Sequence, residues 1–207
     1  MTTRFHSFLL KLVVAALVAS SPLTLAGPVL AQALAQATAP TNPMPPRDVP
    51  GDDGNVQNKL YQSRPVAMLG GKSSWEEGFQ TLTSNFAKIR AALKAAGLNE
   101  EGPPLAVFLE TDDDGFKFEA MVPVASPPTG GVQLGNGIRL TTTPNGQTLK
   151  FQHRGAYDDI DSTYEAITAY LDEKALNAAN VFIEEYIKEA KSPDDNELAV
   201  DIYVFLK

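Results

Sequence analysis

Between residues 181 and 207, apolar and polar side chains alternate with a period of two in the runs VFIEEY and ELAVDIYVFLK, which are separated by the polar stretch 187–196. That period belongs to β-strands, so the chain is expected to close on an antiparallel hairpin. An all-aliphatic face would hold Val181, Ile183, Val200, Ile202, Val204 and Leu206 beneath a helix. The opposite face would then carry Phe182, Glu184, Tyr186, Asp201, Tyr203 and Phe205. Rings set around carboxylates suit a pocket lining better than a wetted surface. Ordinary aromatic cross-strand pairing on a half-exposed face is the plainer alternative.

Upstream, two helices are expected. Residues 75–96 start after Ser73 and Ser74, carry Glu76 and Glu77 in the first turn, and repeat Phe79, Leu82, Phe86, Ile89 and Leu93 at helical spacing before Gly97. Serine caps and early acids stabilise a helix N-terminus, and glycine stops a helix. Residues 160–173 present Ile160, Tyr164, Ile167 and Leu171 on a second stripe. Strands are expected at 65–69, 105–109, 116–124, 138–142 and 148–153, several of them bounded by Gly, Asn or Pro turns. Asp112, Asp113 and Asp114 read as a solvated hairpin loop, because their spacing does not match a calcium loop.

The two halves correspond. Val107-Phe108-Leu109-Glu110 matches Val181-Phe182-Ile183-Glu184, and residues 118–122 match 200–204. The expectation is an α+β domain of two βαββ repeats with pseudo-twofold symmetry: one antiparallel sheet, helices on one face and a ligand cleft on the other. In the first half Val107, Leu109, Phe118, Ala120 and Val122 would face the helix. Phe108, Glu110, Glu119 and Met121 would face the cleft, adding Glu110 with Glu119 to Glu184 with Asp201. Such a cleft suits a lipophilic cation, attracted by aromatic faces and neutralised by a carboxylate. An unpaired carboxylate held there would have a raised pKa.

Composition narrows the alternatives. The net charge is −8 over 207 residues, a poor match for nucleic acid. Arg4 and Lys11 precede an apolar run at 12–19, and the small-residue sites 31–33 and 35–37 follow. This is the layout of a signal peptide at 1–33, followed by a Pro-rich spacer at 34–59 and a folded domain at 60–207, which implies a periplasmic or secreted protein without a stable membrane anchor. There is no cysteine for lipid attachment or disulfides. His153 is the one histidine beyond the leader, so a zinc site or a Ser-His-Asp triad is not expected, and neither is a cofactor.

The order of motifs over residues 61–207 resembles the GyrI-like small-molecule-binding family, which includes effector-binding domains of AraC-type and MerR-type regulators. The resemblance is carried by His153-Arg154-Gly155-Ala156-Tyr157 leading into a helix, by Glu184-Glu185-Tyr186 as a Glu-x-Tyr strand, and by Val200-Asp201-Ile202-Tyr203-Val204 as the closing strand. It implies a small-molecule ligand contacted by Glu184, with Asp201, Tyr203 and Tyr157 beside it. Asp201 stands where the family often has Glu. The candidate ligand-binding set is Glu184, Tyr186, Asp201, Tyr203, Tyr157, Phe182, Phe108, Glu110, Glu119, Met121 and Trp75. Leader and spacer read in place of a helix-turn-helix, so the regulators' transcriptional role is not carried over. The expectation is a binding module with no catalytic residue. The alternative is a hydrolase of strained electrophiles with Glu184 as general base, and a third possibility is a protein-interaction role.

Overall fold

The computed structural model describes residues 56–125 and 134–207; the expected leader and most of the spacer lie outside them. Eight strands and two helices follow in the order β1 (Gln57–Tyr61), β2 (Pro65–Ser74), α1 (Gly78–Ala95), β3 (Leu105–Thr111), β4 (Gly115–Pro123), β5 (Arg139–Thr142), β6 (Gly146–Arg154), a short 3-10 turn (Tyr157–Asp159), α2 (Ile160–Glu173), β7 (Ala178–Lys188) and β8 (Ala199–Leu206). β1 takes in residues that the sequence reading gave to the spacer. α1 starts at Gly78, after a turn in which Ser74 Oγ accepts the Glu77 N–H at 3.3 Å. It ends where Gly97 adopts φ +70° and the Leu98 N–H reaches back to the Leu93 carbonyl at 2.9 Å, a glycine stop of the expected kind.

The strands form one antiparallel sheet in the order β1-β6-β8-β7-β3-β4-β2-β5. β1 and β2 are six places apart in that order, yet only Gln62, Ser63 and Arg64 join them. Laid flat, six strand spacings would be about 29 Å, whereas the four Cα steps from Tyr61 to Pro65 reach about 15 Å. The sheet must therefore curl until its edges approach. The linker bonds show that approach directly: Ser63 Oγ donates to the Thr143 carbonyl at 2.7 Å, and the Thr143 N–H donates to the Arg64 carbonyl at 3.0 Å, just beyond β5 at the opposite edge.

Curling gives the sheet two apolar faces. On the inside, Tyr61, Val66, Met68, Leu105, Val107, Met121, Ile183, Tyr203 and Phe205 form a cluster that contains no helical residue. Outside, α1 packs on β2 and β4 while α2 packs on β6. Leu82, Phe86, Ile89 and Leu93 of α1, with Ile160, Tyr164, Ile167 and Leu171 of α2, meet the outward residues Ala106, Phe108, Phe118, Ala120, Val122, Phe182, Tyr186, Val200, Ile202 and Val204.

The face assignment expected from sequence is corrected for two strands. β7 and β8 pair Phe182 with Val204, Glu184 with Ile202 and Tyr186 with Val200, and directly opposed residues share a face. Phe182, Glu184 and Tyr186 therefore point to the helices, and Val181 and Ile183 to the inside. In β3, Phe108 likewise faces the helices and Val107 the inside. Aliphatic content misled the reading because the curled interior excludes water as well as the helix layer does, so both faces demand apolar residues.

Arg64 pairs with Glu185 on β7, and Tyr203 Oη donates to Glu185 Oε2 at 3.1 Å. Only 9% of the Glu185 side chain is exposed, against 66% of Glu110 in its pair with Lys117. Stranding a buried charge costs much more than breaking a solvated pair. Arg64→Ala is expected to lower unfolding free energy by about 2 kcal/mol and Lys117→Ala by at most roughly 0.5 kcal/mol in urea titrations. Equal losses would contradict the tethering role of Arg64.

Candidate functional site

β3 and β7 are neighbours at the centre of the sheet, and their rings meet on the helix side. Phe108 and Phe182 stack with centroids 4.9 Å apart and planes 8° from parallel. Tyr164 of α2 meets Phe182 edge-on at 5.6 Å, and Phe116 of β4 lies 5.2 Å from Phe108. Trp75 packs at 5.1 Å from Phe116, its indole N–H donating to the Asp112 carbonyl at 3.0 Å. These rings, with Tyr157, Ile160 and Asp161, enclose a cavity of about 20 Å³ that has Glu184 in its wall. That volume is about one water molecule.

Glu184 is 2% exposed. Tyr164 Oη donates to Oε1 and Tyr186 Oη to Oε2, both at 2.6 Å. Among the described residues no cationic side chain pairs with it; burial pushes its carboxyl pKa up, opposed by the two phenol hydrogen bonds. The same burial, together with the Glu184 charge, holds Tyr157, Tyr164 and Tyr186 well above the usual tyrosine range. The phenols therefore stay protonated as donors at neutral pH. The Tyr157 hydroxyl also interacts with that of Tyr186, placing a third phenol next to the carboxylate.

The positions of these groups have local causes. The Tyr164 hydroxyl reaches Glu184 because Tyr164 occupies the buried stripe of α2. Tyr157 is set by the bend at Gly155, whose φ of +132° favours glycine, and by a 3-10 turn whose Asp158 N–H donates to the Pro193 carbonyl at 3.1 Å. His153 braces this bend from a buried position: its ring nitrogens lie 2.8 Å from Thr163 Oγ1 and 3.0 Å from the Ala156 carbonyl.

Of the residues singled out from sequence, Glu184, Tyr186, Tyr157, Phe182, Phe108 and Trp75 come together at this cavity or at its carboxylate. The others do not. Asp201 faces the opposite side of the sheet, where Lys150 at 2.6 Å and Arg154 at 2.8 Å neutralise it. Tyr203 is there too, in edge contact with Tyr61 at 4.8 Å. Met121 lies in the inner cluster, Glu119 pairs with Arg139 at 3.1 Å, and Glu110 pairs with Lys117. The physical reason is register: odd-numbered residues of β8 lie opposite odd-numbered residues of β7, so Asp201 opposes Glu185 and not Glu184. The cavity accordingly lies on the helix side of the sheet, against the expectation of a cleft on the other face.

Sequence reasoning missed Tyr164, Phe116, Ile160 and Asp161. A signal existed for Tyr164, since a tyrosine in an otherwise aliphatic helix stripe brings a hydroxyl that needs a buried partner. Glu184→Gln keeps the shape and removes the charge. With the folded-state pKa raised, ionisation of Glu184 opposes folding above that pKa, and the opposition fades as pH falls towards the unfolded value of about 4.3. The variant should melt a few degrees above wild type at pH 8 and converge with it near pH 4.5 in thermal unfolding. A difference independent of pH would refute the raised pKa.

Solved structures of other proteins resemble this fold. The C-terminal domain of EcmrR superposes with a TM-score of 0.59 at 16% identity, covering 73% of this chain and 96% of that one. For EcmrR in complex with DNA the match spans 57% of the EcmrR chain, at 15% identity, TM-score 0.59 and 73% of this chain. A hydrolase from Listeria innocua matches at TM-score 0.53 and 9% identity, over 74% of this chain and 92% of its own. SAV2435 bound to tetraphenylphosphonium matches at TM-score 0.50 and 12% identity, over 73% and 93%. At these identities the likeness is one of fold. A search of curated proteins returned no match. The profile of the family described as GyrI-like small molecule binding domain matches residues 56–207, and the chain belongs to that family.

Proposed function

We propose that this domain binds lipophilic aromatic cations at the cavity between α2 and the sheet, with Glu184 as the counter-charge. The observation that carries the reading is a carboxylate 2% exposed, walled by rings, held by two phenols and matched by no cation among the described residues. Burying such a charge is costly unless it is paired, and a ligand cation would complete the pair. The surrounding ring faces would add roughly 0.5–2 kcal/mol per good cation contact. The small-molecule binding of the family and the tetraphenylphosphonium bound by SAV2435 support the same chemistry.

The raised pKa gives binding a pH signature. A cation favours the ionised carboxyl, so binding expels whatever proton Glu184 still holds, and affinity climbs with pH through its titration. The hydrolase reading, with Glu184 as base, draws less support, because both carboxylate oxygens already accept phenol hydrogen bonds. We further read the strand order as two βαββ units set back to back at the β3–β7 seam, with Phe108 and Phe182 as equivalents. The leader-like residues 1–33 support export to the periplasm or medium as the setting.

Tetraphenylphosphonium at about 100 times its dissociation constant should stabilise the fold by roughly 2.7 kcal/mol. The thermal shift is expected to be larger at pH 8 than at pH 5 and to disappear in Glu184→Gln. An undiminished shift in that variant would show that the carboxylate is not the counter-charge.

A further inference from the structure

A cavity of about 20 Å³ is far smaller than an aromatic cation, so the space for a ligand must come from next door. A depression of about 280 Å³ adjoins it, near the lower end of ligand-pocket volumes at roughly 300 Å³. Its walls are Lys72, Ser73 and Ser74 from the end of β2, Glu110 and Asp112 from β3 and its turn, and Asp114 to Lys117 from the hairpin into β4. One residue, Phe116, lines both spaces, and the chain runs without a break from Ser74 in the outer one to Trp75 in the inner one.

The Phe116 ring is common to both linings. Phe116 is 6% exposed and touches rings of both Trp75 and Phe108. Trp75 in turn donates to the Asp112 carbonyl, so the indole is fastened to the hairpin that walls the outer space. Behind the Phe116 ring stands Gly78, where an added Cβ would lie 3.2 Å from the ring edge and 3.9 Å from the Tyr157 hydroxyl. A side chain at Gly78 would therefore press on the ring, which also packs on Phe118 with centroids 5.6 Å apart. The outer walls are polar: Glu110 is paired with Lys117, Asp112 Oδ1 accepts the Asp114 and Gly115 N–H groups, the Ser73 and Ser74 hydroxyls bond Thr81 and the Glu77 N–H, and Asp114 and Lys72 complete the lining.

We propose that the two spaces are compartments of one ligand site divided by the Phe116 ring, and that the ligand is an aromatic cation carrying a polar, amine-bearing arm. The aromatic head displaces the ring and occupies the inner cage, and the arm lies in the outer compartment, where its ammonium takes the place of the Lys117 amine on Glu110 and donates to Asp114. This rests on the function proposed above and names its ligand class more closely. A charge-assisted hydrogen bond from an ammonium arm is about twice as strong as a neutral one.

Trp75 is the single tryptophan of the chain and lines the inner cage, so its fluorescence reports occupancy. The test titrates the full chain with benzyltrimethylammonium and with the analogue in which a 3-aminopropyl group replaces one N-methyl. The arm is expected to tighten binding to wild type about tenfold. In Glu110→Gln/Asp114→Asn the two affinities should converge, and in Phe116→Leu stopped-flow quenching should become several times faster. Equal affinities in wild type, an arm advantage that survives in the double variant, or an unchanged quenching rate in Phe116→Leu would overturn the two-compartment site while leaving the cation reading intact. No quenching by either compound would remove both.

Discussion

The three residues Gln62, Ser63 and Arg64 impose the shape on which the rest depends, because they join strands that stand six places apart in the sheet. A linker so short forces the sheet to curl, and curling divides its surface into an interior sealed by the sheet itself and an exterior that needs cover. Both helices serve the exterior. The cavity at Glu184 therefore lies between helix and sheet, since the interior is already filled by Val66, Met68, Leu105, Val107, Met121 and Ile183, each at most 1% exposed. Arg64 reinforces the closure through Glu185, so one side chain of β7 anchors the curl while the next, Glu184, faces the cavity.

That adjacency explains how a carboxylate can be held unneutralised in a stable domain. Glu185 and Asp201, on the inner face, are both paired with cations, Glu185 with Arg64 and Asp201 with Lys150 and Arg154. Among the described residues, the hydrogen-bond partners of the Glu184 carboxylate are both phenol hydroxyls. Phenols at 2.6 Å satisfy its lone pairs without cancelling its charge, and it is this uncompensated charge in a ring-lined cavity that motivates the cation binding proposed above. The contrast between adjacent glutamates on one strand supports the binding site proposed on the helix-side face.

The elements themselves were readable from the chain. Period-two alternation located the last two strands, and the stripes of 82, 86, 89, 93 and of 160, 164, 167, 171 located both helices. Glu184, Tyr186, Phe108 and Phe182 were nameable because rings and acids in a buried strand pattern are unusual, Tyr157 because of the family resemblance, and Trp75 only as a ring that could position a substrate. Asp201, Tyr203, Met121, Glu119 and Glu110 carried the same compositional signal and lie elsewhere.

What the sequence determined by itself is which segments are strands or helices and which residue types each strand can bury, since these follow from periodicity along the chain. Which face those residues occupy was decided only in three dimensions. Register between β7 and β8 sets whether Glu184 keeps company with Asp201 or with Ile202, and register depends on how the whole sheet curls. Likewise Tyr164 becomes a partner of Glu184, and Asp201 a partner of Lys150, through contacts between elements far apart in the chain. Alternation fixes that neighbouring side chains point to opposite sides; only the pairing of strands and the layer laid over each side decides what they meet.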